Sequence, residues 1–336
     1  MINRIGARFS RCNKEVALPP WVIFAAGFAI LIGMAGNEAA AQAFPTRPIR
    51  LVTSEPGGAG DFISRLMVPI ISPLLGQQLV VDNRPSVIIA GEIVARAVPD
   101  AHTLIVYGGT LWLGPYLRKS PYDPVRDFTP VTLASSSPCV VVVHSSVPAG
   151  TVKELIDLAR ARPGALNYGS GSSGSITHLA PELFMSMSGV KLVRVPYKGA
   201  GPALNALIAG EVQLMIATAP SALPHVKSGR LRALAVTSAK PSVLLPGMIT
   251  VAAAGVPGYE AVAYTGIFAT AKSPAAAIAR LNTEMVRALQ QPDVREKLLS
   301  VGVEVIGSTP ETLRTTVKEE MARMGKVIRE AGIREQ

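Results

Sequence analysis

The chain has 336 residues, a net charge of +10 and 49% hydrophobic residues, with aromatics only 5% of the total. That length and apolar content allow two domains of ordinary size, each with its own core. The basic residues are scattered, with no run of five or six and no interleaved aromatics, which argues against nucleic-acid binding.

In chain order, residues 1–43 read as a cleavable secretory leader. Arg4, Arg8, Arg11 and Lys14 make a basic start, residues 21–36 are apolar, and Ala41-Gln42-Ala43 offers a small-residue cut before Phe44. The apolar run is shorter than the roughly 20 residues a spanning helix needs. The protein is therefore expected to work in the periplasm. What remains carries a charge of about +8, a field that steers small anions or simply keeps a surface soluble. Cys12 falls in the leader, so Cys139 is left without an intrachain partner, and its apolar strand suits a buried small hydrophobe better than a nucleophile.

After the leader, strand 49–53 is followed by the loop Ser54-Glu55-Pro56-Gly57-Gly58-Ala59-Gly60-Asp61 and a helix over 62–75. Strand 79–81, a helix over 90–97 and strand 103–107 continue the alternation. In the second half, Thr151 and Glu154 predict a capping box at the start of a helix over 151–162. Strand 167–169, a Gly/Ser loop over 169–175, helix 178–187, strand 192–195 and helix 201–209 follow. Further strands are expected at 212–217, 231–237 and 264–269. Helices are expected at 274–290 and 310–331, the last with Thr309 as N-cap. The order predicts an α/β protein with open, mostly parallel sheets in two lobes of related design. Residues 140–143 and 266–269 look like passages between lobes. One lobe would then be 44–139 with 263–336, the other 140–262, with a cleft between them.

Two loops can carry chemistry. Pro56-Gly57-Gly58-Ala59-Gly60-Asp61 joins a strand to a helix, where glycines allow close approach and the unpaired N–H groups of the first turn favour anions. It lacks the Gly-Lys-Ser/Thr of a Walker loop, and Ile63 stands where a dinucleotide fingerprint needs glycine. It also reads as an ordinary tight turn with Asp61 capping the helix. Gly169-Ser170-Gly171-Ser172-Ser173-Gly174-Ser175 offers hydroxyls and backbone donors that suit a carboxylate, and no serine in it has glycine on both sides at nucleophile-elbow spacing. His102, His144, His178 and His225 show no metal spacing, so neither a metal nor a cofactor is expected.

These loops and their neighbours resemble a family. Pro45-Thr46-Arg47-Pro48-Ile49-Arg50-Leu51-Val52, Pro56-Gly57-Gly58-Ala59 with Asp61, Asn83-Arg84-Pro85, Pro121-Tyr122-Asp123-Pro124, His178-Leu179-Ala180, Val195-Pro196-Tyr197-Lys198-Gly199 and Pro257-Gly258-Tyr259-Glu260 are similar to the Bug, or TctC-like, periplasmic solute-binding proteins. The likeness runs from about Pro45 to Ile333. It implies a two-lobed periplasmic binding protein fold of type II that closes on a small carboxylate without a chemical step. It also implies service to a tripartite tricarboxylate-type transporter, or life as an orphan receptor. The chain departs from the pattern at Ser54 and Glu55, at Gly60, in the short apolar Ser86-Val87-Ile88, and at Ala217 and Thr218. These departures favour a small or partly apolar acid over a tricarboxylate.

On this reading Gly58, Gly60, Ser170, Gly171 and Ser175 supply anion donors, Asp61 meets a donor on the ligand or a water, and Thr110 and Tyr197 line the cleft of a monomer. Two other functions compete. One is a sensor that docks its ligand-bound form on a membrane receptor, and the other is a secreted serine hydrolase using the Ser-rich loop.

Overall fold

A computed structural model of the chain describes residues 44–334 apart from 55, 57, 58, 85 and 172. The leader, Glu55 and Gly58 thus lie outside the described residues. Residues Pro45–Gln336 form one compact unit.

Its strands are β1 (Ile49–Thr53), β2 (Leu79–Asn83), β3 (Thr103–Gly108), β4 (Phe128–His144), β5 (Asn167–Ser170), β6 (Val193–Pro196), β7 (Leu214–Thr218), β8 (Leu231–Val236), β9 (Val262–Thr270) and β10 (Glu304–Val305). The helices are α1 (Ala59–Leu75), α2 (Val87–Ala95), α3 (Thr110–Leu117), α4 (Val152–Ala161), α5 (Ile176–Ser188), α6 (Ala200–Ile208), α7 (Ala219–Lys227), α8 (Ala275–Leu289), α9 (Pro292–Ser300) and α10 (Pro310–Glu330).

The long strand β4 is the spine. Over residues 128–138 it runs antiparallel to β9, which in turn lies antiparallel to β3. From Cys139 to His144 it leaves that sheet and pairs with β7 and β8, also antiparallel. Away from β4 and β9 the pairing is parallel: β1 lies between β2 and β3, and β5 between β6 and β7. The sheets are therefore mixed, not mostly parallel. The parallel pairs belong to the strand–helix–strand repeats visible in sequence, while the antiparallel ones are made by the two strands that join them. Residues 266–269 stay wholly within the first sheet. The second passage lies just before them, where Ala261 N–H bonds the Thr237 carbonyl at 3.0 Å.

Each helix buries an apolar stripe. On α4 the buried positions are Val152, Leu155, Ile156 and Ala159, spaced as a 3.6-residue period requires. Thr151 Oγ1 accepts from Glu154 N–H at 3.1 Å, as the capping box predicts, but the Glu154 carboxylate accepts from Gly150 N–H at 2.6 Å, one residue earlier than expected. Thr309 caps α10 through Thr312 N–H at 3.2 Å. The first sheet is sealed by Trp112, Phe128 and Phe268, whose rings meet at about 6 Å, and the second by Phe184 against Tyr259. Cys139 is fully buried and its thiol is pushed up to about 12 by that burial, so it packs as a small inert hydrophobe. No helix among the described residues is long and apolar enough to cross a membrane.

Candidate functional site

The two sheets enclose a cavity of about 360 Å³, within the size range of small-molecule sites. Its walls come from both sides: Tyr107, Ser135, Ser137 and Val262–Thr265 of the first sheet with Ser54 just after β1, and Thr218 of the second sheet with Leu179 of α5 and Pro220 of α7. Four helices begin at it. Ala59 and Gly60 open α1, Gly109 and Thr110 open α3, Ser175 and Ile176 open α5, and Thr218 precedes α7. No lysine, arginine or histidine lies among the described residues that line it. Among the described residues, the groups here that can attract an anion are therefore helix N-termini and hydroxyls, not cationic side chains.

α5 shows how these donors are kept open. Its first backbone bonds run from His178 and Leu179 N–H to the Ser175 carbonyl, both at 2.9 Å, so the N–H groups of Ile176 and Thr177 lie ahead of the ladder. Ser175 is suited to cap them, yet its hydroxyl pairs with Thr177 Oγ1 at 3.0 Å.

Of the expected site residues, Gly60, Thr110 and Ser175 line the cavity. Asp61, Ser170, Gly171 and Tyr197 do not, and each has other work. Asp61 is buried. It accepts from Arg65 Nε at 2.9 Å and Asn83 Nδ2 at 2.8 Å, and Asn83 also holds the Ser54 carbonyl at 2.7 Å. It thus braces the first loop against the end of β2. Gly60 packs so tightly that an added Cβ would sit 2.4 Å from Thr53 Oγ1 and 2.6 Å from the Val106 carbonyl oxygen, so no side chain fits at this point. Tyr197 donates its backbone N–H to Ser170 O at 2.9 Å, and its ring packs on the second sheet's core.

Arg194 braces the second loop. Its guanidinium donates to Ser170 Oγ at 2.8 Å, Gly171 O at 3.1 Å and Ser173 Oγ at 3.3 Å. Gly171 N–H bonds Thr177 Oγ1 at 2.9 Å, and Gly174 N–H bonds His178 Nδ1 at 3.2 Å. Burial, then the Arg194 charge, hold His178 down to about 4, so it is neutral at ordinary pH. With its Nδ1 accepting from Gly174 N–H, the His178 ring hydrogen-bonds no serine hydroxyl of this loop among the described residues. Among the described residues no serine–histidine pair is assembled there.

The sequence reading missed Glu320. It sits on the α10 stripe with Leu313, Val317, Met324 and Ile328, is 3% exposed, and lines the cavity. A carboxylate at a core position of an apolar stripe was the signal that could have found it. Trp112 Nε1 donates to its Oε2 at 2.8 Å, and burial pushes its pKa up to about 7 against the pull of that bond.

With this geometry in view, residues 63–333 match the family described as tripartite tricarboxylate transporter family receptor, or TctC. The UPF0065 protein in the tcbD-tcbE intergenic region of Pseudomonas sp. is 38% identical over 307 residues, 89% of this chain and 91% of that protein. BugT of Bordetella pertussis is 32% identical over 90% of this chain and 95% of its own length. Among solved structures, an R. palustris protein with adipate has a TM-score of 0.73 at 37% identity, covering 87% of this chain and all of that one. MatC from Rhodopseudomonas palustris with bound malate has a TM-score of 0.70 at 31% identity, covering 85% of this chain and all of that one.

Proposed function

This chain belongs to the tripartite tricarboxylate transporter family of receptors, and from that premise we propose that it captures a small carboxylate between its two sheets, in the periplasm. It is a solute-binding receptor, so its task is recognition and release. The adipate and malate bound by its two R. palustris relatives support a carboxylate as the ligand class. The observation that carries the reading is the convergence of four helix N-termini on a cavity lined by no basic side chain among the described residues. Such a site holds one carboxylate by backbone and hydroxyl donors and gives little to a ligand of high charge.

The residues proposed for contact are Gly60, Thr110 and Ser175, joined by Ser54, Thr218 and the hydroxyls of β4. Residues 44–139 with 263–336 would move as one lobe and 140–262 as the other, hinged where β4 changes sheets. Residues 1–43 would direct export and be removed, and the mature monomer would deliver its ligand to membrane transporter subunits.

A thermal-shift screen of mono-, di- and aromatic carboxylic acids tests this. A ligand at 100 times its Kd stabilises by about 2.7 kcal/mol, which raises the melting temperature by several degrees. The expected result is such a rise with at least one acid in wild type and none in Thr110→Trp, where the indole fills the cavity. No rise with any acid overturns the reading.

A further inference from the structure

The walls of the cavity are chemically unlike. The starts of α1 and α5 present backbone donors, and ahead of α7 the Thr218 hydroxyl does so, since Pro220 has no N–H. Beside the start of α3 stands an acceptor, the Glu320 carboxyl, with Oε1 about 3.5 Å from where a Cβ on Gly109 would lie. Trp112 takes Oε2, and among the described residues no other group hydrogen-bonds this carboxyl or forms an ion pair with it. Arg323, one turn along the same helix, gives its Nη1 to Glu260 Oε2 at 2.8 Å instead. Glu320 is thus a nearly fully buried carboxyl, aimed into a binding cavity and holding one protein donor. A buried carboxylate with an open oxygen needs a donor. A second carboxylate placed beside it would repel it in a site where charge is poorly screened.

Resting on the carboxylate reading above, we propose that Glu320 sets specificity: the cavity takes an acid with one carboxylate at the helix N-termini and a hydrogen-bond donor, ammonium or hydroxyl, against Glu320, and rejects a second carboxylate there. The groups that act on Glu320 are few. Arg323 lies on its own helix, and Glu260 and Tyr264 approach from the β9 side. From α3 only the Trp112 indole reaches it, while β4 presents Ser135 and Ser137 to the cavity and α5 presents Leu179. Its ionisation near pH 7 then becomes a readout of which ligand group it meets. A donor needs the carboxylate, so its affinity rises with pH. A second carboxylate needs the protonated acid, so its affinity falls.

The test is calorimetric titration of the mature chain with matched acids of four to eight carbons, and with benzoates whose para substituent is carried on a methylene. Within each set only the far group changes: ammonium, hydroxyl, methyl or carboxylate. At pH 8.5 the donor acid of the best-fitting length should bind at least tenfold more tightly than the diacid of the same length. Between pH 6.5 and 8.5 its affinity should rise while that of the diacid falls, a window above the second ionisation of the diacids and below that of the alkylammonium. Glu320→Gln, which keeps an oxygen for Trp112, should bring the two within about threefold. Equal or tighter binding of the diacid at pH 8.5, a flat pH profile in wild type, or an unchanged ratio in Glu320→Gln each overturns the proposal while leaving carboxylate capture intact. Absence of binding by every acid overturns the capture reading itself, and the proposal with it. Should Glu320→Gln fail to fold, the wild-type pH series decides alone.

Discussion

The two loop-to-helix junctions at the cavity look alike in sequence and are held differently. The first, ahead of α1, is tied by a carboxylate: Asp61 joins the half-exposed Arg65 and Asn83 at the end of β2. The second, ahead of α5, is tied by a guanidinium, with Arg194 of β6 making three hydrogen bonds along the loop and a neutral His178 holding Gly174. In both, the side chains with the greatest hydrogen-bonding capacity turn away and hold the backbone. The small residues Gly60, Gly174 and Ser175 are left to face the cavity. A donor array for an anion must be rigid before the ligand arrives, and the strongest polar groups serve that purpose. The difference lies in the brace: the first junction is drawn together through the buried Asp61 carboxylate, whereas in the second Arg194 alone gathers the oxygens of Ser170, Gly171 and Ser173, and Thr177 and His178 hold the Gly171 and Gly174 N–H groups.

The largest effect should come from removing the fit of the second junction. Gly174 has φ +77°, and a Cβ there would lie 2.2 Å from Leu117 of α3. Gly174→Ala combines overpacking with a left-handed backbone and should cost up to about 4 kcal/mol in chemical unfolding. Next in size is the wall that neither junction supplies. Glu320 has its pKa raised from 4.5 to about 7 by burial. Its contribution to stability is therefore fully present below pH 4.5 and lost as pH rises through 7. Glu320→Gln should gain on wild type by on the order of 2–3 kcal/mol across that window in paired unfolding curves. A constant offset would mean that the buried carboxyl does not titrate there.

Smaller is the effect of Arg194→Ala, which frees Ser170, Gly171 and Ser173 together. It should weaken the best acid roughly tenfold by calorimetry, about 1.4 kcal/mol. Arg65→Ala should be smallest, within about 1 kcal/mol in stability and twofold in affinity, because an exposed partner adds little and Asn83 still holds Asp61. If Arg65→Ala weakened binding as much as Arg194→Ala, the contrast between the junctions would fail.

Much of the fold was legible because its repeats carry local signals. β1 is where alternation and flanking turn residues put it, and Thr151 and Thr309 cap as their spacing requires. What escaped were elements whose sequences argue against themselves. α3 contains Gly114 and Pro115, and α7 contains Pro220 and Pro224. These helices stand because tertiary packing, such as Trp112 against Phe268, outweighs weak propensity. The first part of β4 carries Pro130, Pro138 and three successive serines and is bulged twice, so no strand pattern announced it. The site was half legible for a related reason. Gly60 and Ser175 sit at the starts of helices the sequence marks, whereas Thr110 opens α3, which it does not. Glu320, Ser135 and Tyr264 reach the cavity only once β4, β9 and α10 have packed. The polar residues that stood out, Asp61 and Ser170, stood out for their chemistry, and that chemistry is spent inside the protein.

The most direct test of the account is where a bound acid lies in a crystal of the mature chain. The account predicts one carboxylate within hydrogen-bond distance of Ser175 or the Ile176 N–H, between the two sheets, with Arg194 still on Ser170 and not on the ligand. An acid seated elsewhere, such as the surface groove of Leu223, Val243 and Leu299, or held by Arg194 or Asp61 directly, would contradict it.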